Sequence, residues 1–343
     1  MKNNGITIIC DDFRVDGKEA KLENFSIING GQTTYMIHKN SDINEDHDFY
    51  LPCKIIRSRG ETEDQKNTFS LEIAKAANTQ KPIKTVDLKA NAPEQVRFAR
   101  AMREVGIFYQ TKRGEEVPKR YKEAFLNTSL LPVGKLALAA VLQMPCTSRQ
   151  KPSTVYRAEY YDKFFDGDQM QMARICKELL YIDFYFRTAF LKKFDSENKD
   201  SATGDYISFA HNARTVCIAF VALASRYYQQ NVTSQEMQML FDEARNGNNL
   251  ENRIYDIFSK LDGVVYLFPG DVFQDKNRYE EILEQLFYLI IDAGAAYFST
   301  AKDTDSALNT TNFLKKDKNY YNILNSQWTK MARDIKRILK DVM

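Results

Sequence analysis

Near Ala124 the chain changes from short β-branched runs punctuated by glycine to long helical stretches rich in aromatic residues, and this shift limits the folds open to it. Gly5 to Cys10 is apolar and β-branched, which reads as a buried strand ended by Asp11-Asp12. Asp16-Gly17 signals a turn, Leu22 to Ile28 a second strand, and Phe49 to Arg57 a third whose Pro52 marks an edge or irregularity. Phe69, Ile73, Ala74 and Ala77 fall at helical spacing, with a stop near Asn78 because Pro82 follows. Pro93 suits a helix start, with Val96, Phe98, Ala99, Met102 and Val105 on a mostly apolar side, and Ile107 to Thr111 reads as a short strand.

Later segments read as helices over Leu130 to Met144, Asp168 to Phe194, Ile207 to Gln229, Ser234 to Arg245, Arg253 to Leu261, Tyr279 to Phe298 and Ser326 to Val342. Polar breaks fall at Asp195 to Asp205 and Ala301 to Asn312. The expected class is α+β, with an α/β unit over residues 1–125 and an α-helical domain over 126–343.

Composition narrows the function classes. With 43% hydrophobic and 27% charged residues in 343, the chain has the balance of a globular protein able to bury a sizeable core. Its five cysteines, at 10, 53, 146, 176 and 217, form no C-x-x-C pair, so neither a zinc site nor a disulfide framework is indicated and a reducing cytoplasm is expected. The first residues lack the apolar core of a signal peptide, and the greasy stretch from Ile207 to Tyr228 is interrupted by His211, Arg214 and Arg226, so no membrane partner is expected.

Net charge is only +2, yet eight basic residues between Arg97 and Lys122 face three acidic ones, and eight between Lys315 and Lys340 face Asp317 and Asp334. Such clusters could meet a phosphate backbone, although a solvated helix face is the commoner use.

The stretch with the clearest look of a site is Asn29-Gly30-Gly31-Gln32-Thr33. Gly30 can take the positive φ of a sharp strand-to-helix turn, Gly31 lets a ligand approach bare backbone, and Asn29 stands where N-cap residues stand. A helix begun at Gln32 would offer free N–H groups and a positive dipole end to an anion. No Gly-Lys-Ser/Thr follows and the spacing is not G-x-G-x-x-G, so hydrolysis of P-loop type is unsupported. For metal chemistry the N-terminal candidates are Asp11-Asp12 and His38 with Asp46, His47 and Asp48; loop and turn roles are commoner for both, and no metal site is expected. His211 lies on an apolar helix, where a satisfied core histidine is the default. Tyr160-Tyr161, Phe164-Phe165 and Tyr181 to Phe186 are read as core before base-stacking platforms.

Asn3-Asn4-Gly5-Ile6-Thr7, Ile28-Asn29-Gly30-Gly31-Gln32-Thr33, Ala77-Asn78-Thr79-Gln80-Lys81-Pro82-Ile83 and Phe108-Tyr109-Gln110-Thr111-Lys112-Arg113-Gly114, in that order and spacing, resemble the abortive-infection phage-resistance (AIPR) family. The likeness is specific over roughly residues 3–150. It implies a cytoplasmic bacterial antiphage protein with a ParB-like N-terminal unit. Family members usually carry a substantial region before the Asn-Asn-Gly-Ile-Thr motif, and this chain begins there, so any activity housed in that region is expected to be absent from it. In a ParB-like arrangement Asn29, Gly30, Gly31, Gln32 and Thr33 would share one cleft with Asn78 and Gln80, which offer amides, and with Lys112 and Arg113, which offer charge. That set suits a nucleotide or nucleic-acid phosphate. ParB-like turns carry an arginine after the glutamine where Thr33 or Thr34 stands here, which weakens any catalytic reading. Two rivals remain open: a metal-dependent nuclease using Asp11 or Asp12, and a non-catalytic helical module acting through partner defence proteins.

Overall fold

The computed structural model describes residues 5–17, 19–39, 50–60, 62–77, 89, 92–112, 114–122, 125–165, 167–199, 203–229, 233–246, 267–340 and 342. Contacts divide the chain into two units, Met1–Leu88 and Lys89–Met343. The change of character in the sequence lies further on, near residue 125.

In the first unit, β1 (Ile6–Cys10) is the middle of a three-stranded sheet. It pairs antiparallel with β4 (Ser26–Asn29), with a register irregularity between Thr7 and Ile8, and parallel with β5 (Cys53–Arg57), where Ile8 faces Ile55. Thr7, Ile9 and Cys10 of the central strand are buried. β2 (Asp12–Asp16) and β3 (Glu19–Glu23) form a separate hairpin, turned at Gly17 with φ +58°, as Asp16-Gly17 predicts.

The expected single strand from Leu22 to Ile28 is two. Asn24 adopts φ +46°, a conformation its short polar side chain tolerates, and its Nδ2 donates to Asp11 Oδ2 at 3.2 Å. Pro52 lies just before β5, where its missing N–H costs nothing, and its carbonyl accepts from Ile6 N at 2.8 Å. The helix α1 (Gly31–Lys39) follows β4, and α2 (Glu63–Ala77) is opened by a reciprocal cap between Thr62 and Gln65.

The second unit begins with α3 (Pro93–Glu104), then β6 (Phe108–Gln110) paired in parallel with β7 (Asn127–Ser129). The apolar side expected for α3 is partly corrected: Val96 is exposed, whereas Gln95 is fully buried because Tyr109 Oη donates to its Oε1 at 2.7 Å and its Nε2 donates to Tyr161 at 3.1 Å. Phe98, Phe164 and Phe165 complete this aromatic core, so these rings serve as core.

The predicted Leu130–Met144 helix is α4 (Leu130–Leu136) continued by a π-helical turn, Ala137–Val141. It ends at Gln143, with φ +54°, whose amide donates to the carbonyls of Ala140 and Ala219 and accepts from Tyr320. Two proline-initiated pieces that the hydrophobic period did not disclose follow, α5 (Pro145–Gln150) and a 3-10 turn (Pro152–Tyr156), then α6 (Ala158–Phe165). Asp168 caps α7 (Gln169–Tyr185) by accepting from Met170 and Gln171 N–H; a π-helical turn (Phe186–Phe190) carries it into α8 (Leu191–Asn198).

The predicted Ile207–Gln229 helix is bent by 68° at Ala213 into α9 (Gly204–Asn212) and α10 (Arg214–Gln229). α11 (Ser234–Asn246), α12 (Gly270–Gln274), α13 (Lys276–Thr304), α14 (Thr310–Phe313) and α15 (Asp317–Leu339) complete the unit. The expected helix over Arg253 to Leu261 lies outside the described residues.

Among the described residues α13 is the one unbroken helix with the length and apolarity to cross a membrane, and the bent α9–α10 pair passes the same test only if taken as a single span. α13 serves as a core helix here: it buries Ile282, Leu286, Phe287 and Ile290, and its Glu280 and Glu284 accept hydrogen bonds from Tyr181 and Tyr185 of α7, each at 2.6 Å. α15 buries Trp328, Met331, Ile335 and Leu339, and it starts nine residues ahead of the expected Ser326. Its Asp317 accepts from Cys146 N at 2.7 Å and Thr147 N at 3.2 Å, capping α5 from 170 residues away.

Candidate phosphate-binding cleft

The glycine turn is placed within the first unit. Asn29 is the last residue of β4, opposite Thr7, and not the N-cap; that position belongs to Gly30, whose carbonyl accepts from Thr34 N at 3.0 Å. Gly30 takes φ +90°, and a Cβ there would stand 2.8 Å from Gly5 O and 3.0 Å from Ile6 Cα. Backbone geometry alone therefore demands this glycine. Nothing lies within 4 Å of a Cβ built on Gly31. Gly31 and Gln32 are exposed and Thr33 half-buried. Lys112, in the second unit, is exposed at a turn whose Gly114 has φ +79°. Asn78, Gln80 and Arg113, like Asp46, His47 and Asp48, lie outside the described residues.

The carboxylates of the nuclease alternative are engaged by cations: Asp11 pairs with Lys66 at 3.1 Å and Asp12 with Arg57. Their hydrogen bonds and charge partners hold the Asp11 carboxyl below its usual range, with the Asn24 amide foremost.

A cavity in the second unit has a lining that sequence reasoning missed. A cleft of about 510 Å³ is lined by β7, α4, α7 and the start of α10, and brings together Lys135, Asp183, Arg187 and Arg214. A smaller lobe of about 220 Å³ shares Lys135, Arg187 and Arg214 and adds Arg149, His211 and Asn212. Four lysine and arginine side chains thus share the lining of the two lobes with one carboxylate. Asp183 binds Arg187 Nε at 2.9 Å and Arg214 Nε at 3.3 Å, which leaves Lys135 and Arg149 without an ion pair among the described residues.

Local structure explains how each cation reaches the cleft. Arg214 opens α10 just past the bend at Ala213, and Arg187 sits in the π-helical turn, where the extra residue rotates the side chains that follow. Arg149 is held from one side only. Its Nη2 donates to Asn212 Oδ1 at 2.7 Å, while its Nη1 is buried without a hydrogen-bond partner among the described residues. Burial, and then the nearby Arg214, lower the Lys135 ammonium to about 8. Thr128 on the wall of the larger lobe carries a buried oxygen without a hydrogen-bond partner among the described residues.

His211 departs from expectation: it is exposed at the rim of the small lobe, and its Nε2 lies 2.8 Å from Asp195 Oδ1. In the sequence these cations are scattered over 80 residues and share no motif. Arg214 showed itself only as an interruption of the greasy stretch from Ile207.

No curated protein and no solved structure matches the chain. A family model described as AIPR protein matches residues 1–341, nearly the whole length and well past the motifs of the first half. The chain therefore belongs to the AIPR family, the abortive-infection phage-resistance proteins.

Proposed function

We propose that this antiphage protein binds a phosphate-bearing ligand, a nucleotide or a nucleic-acid phosphate, in the basic cleft of its helical unit. The observation that carries the reading is the gathering of Lys135, Arg149, Arg187 and Arg214 around one lobe whose described lining has no carboxylate, with Arg149 Nη2 donating to Asn212 Oδ1 at 2.7 Å. Guanidinium groups present planar paired donors that match phosphate oxygens, and a half-buried cleft strengthens the attraction. In this reading the protein works in the bacterial cytoplasm, and the ligand or a partner defence protein governs when it acts. The ParB-like character of the first unit rests on the Asn29–Thr33 sequence alone.

The test is a titration of the full chain with pyrophosphate, ATP and labelled single-stranded RNA and DNA over a salt series. Binding should weaken steeply with salt, and Arg149→Gln combined with Arg214→Gln should reduce it at least tenfold while the circular dichroism spectrum is retained. In cells the same pair should lose plaque protection. Binding that is indifferent to the pair, or no binding at low salt, would overturn the reading.

A further inference from the structure

The two lobes differ in chemistry, and the difference specifies a shape of ligand. The small lobe is a cationic pocket. The larger lobe shares Lys135, Arg187 and Arg214 with it, while its remaining walls include Phe125, Leu131, Leu180, Gln110, Asn127 and Thr128. Apolar and aromatic surface beside a few fixed polar groups is the composition of a small-molecule site, and about 510 Å³ is the size of one ligand.

Hydrogen bonds orient the two amides. Gln110 Nε2 donates to Glu115 O at 2.9 Å and Asn127 Nδ2 donates to Tyr121 O at 2.6 Å. Since a carbonyl oxygen can only accept, each NH₂ group must face the backbone, and each side-chain oxygen is left with no donor among the described residues. Phe125 is half-buried, with its ring packed edge-on to Tyr181 at 5.1 Å, so its position is fixed before any ligand arrives. Two acceptors without a donor among the described residues and an aromatic ring answer a planar heterocycle that carries an exocyclic amino group.

We propose, building on the phosphate reading above, that the cleft is a mononucleotide site, with the phosphate in the small lobe and an amino-bearing base such as adenine in the larger one against Phe125. Base recognition comes from the acceptors Gln110 Oε1 and Asn127 Oδ1; anchoring comes from Arg149 and Lys135. A duplex or a long single strand would engage only the mouth of such a site.

Calorimetric titration of the full chain with ADP, inosine diphosphate, ribose 5-phosphate, pyrophosphate and a 12-nucleotide RNA separates the possibilities. ADP should bind about tenfold tighter than inosine diphosphate, which replaces the amino group with a carbonyl, and tighter again than ribose 5-phosphate. Gln110→Ala should erase the ADP preference and leave pyrophosphate binding unchanged, whereas Arg149→Gln should weaken both. Phe125→Leu should weaken ADP alone; if that variant melts early, Gln110→Ala still decides. Equal affinity for ADP, inosine diphosphate and pyrophosphate would overturn the mononucleotide site and leave the phosphate reading standing. RNA binding that ADP does not displace would do the same. Failure of every ligand to bind would remove both.

Discussion

Arg214 Nε lies 3.3 Å from Asp183 Oδ1, an ion pair that ties the first turn of α10 to α7 across the floor of the cleft. The same carboxylate also holds Arg187 at 2.9 Å, so the one acidic group among the cleft's cations restrains two of them. Replacing Asp183 with Asn should free both guanidinium groups for an incoming phosphate. Expected are a several-fold gain in affinity for pyrophosphate, a steeper dependence on salt, and a modest fall in melting temperature from the lost tether. An affinity that falls would show that Asp183 orients the arginines and does not compete with the ligand.

Lys135 links stability to binding in opposite directions. Because burial and Arg214 lower its ammonium to about 8, the folded state releases a proton that the unfolded chain keeps up to its ordinary 10.5. Its charge therefore disfavours the fold below pH 8, and the penalty is relieved as pH rises through 8 towards 10.5. Lys135→Met should raise the melting temperature at pH 7 and weaken phosphate binding. In the unaltered chain affinity should fall as pH goes from 7 to 9, a dependence absent from Lys135→Met. Calorimetry in buffers of different ionisation heat should show proton uptake on binding at pH 8.

Glu178 is a buried carboxyl whose two oxygens accept from Leu267 N at 3.1 Å and Phe268 N at 3.0 Å. Burial pushes it up to about 8, against the pull of those two N–H groups. The folded state thus keeps a proton that the unfolded chain gives up near 4.5. The associated stability is full below pH 4.5 and is lost as pH rises through 8. Glu178→Gln should flatten the slope of unfolding free energy between pH 5 and 8 in urea titrations. Glu178→Ala should cost about 2 kcal/mol or more, since two buried N–H groups lose their acceptor.

The paired glycines should behave differently. Gly30→Ala forces a Cβ against Gly5 O at a φ of +90° and should destabilise the first unit by about 2 kcal/mol, read as earlier proteolysis of that unit. Gly31→Ala meets nothing and should be neutral in the same assay. If Gly31→Ala nonetheless reduced nucleotide binding, the turn would regain a ligand role that its backbone does not require.

Sequence alone settled what depends on neighbours along the chain. The β-branched run at Ile6 to Cys10, the Asp16-Gly17 turn and Pro93 at a helix start each encode their conformation locally, through side-chain period, fixed φ or a missing N–H. The aromatic-rich helices also announced their core role. The AIPR motifs were legible too, because they are contiguous words, and the family model then reached the whole chain. Where local signals failed, a distant partner had decided: Asn24 broke a strand by bonding Asp11, Gln95 went inside because Tyr109 and Tyr161 satisfy its amide, and Asp317 began α15 early to cap α5. The cleft belongs wholly to that second kind. Lys135, Arg149, Arg187 and Arg214 sit on four separate helical segments and meet only because α9 and α10 bend at Ala213 and a π-helical turn resets α7. Electrostatic sites depend on distance in space, and for residues dozens of positions apart only tertiary packing sets that distance.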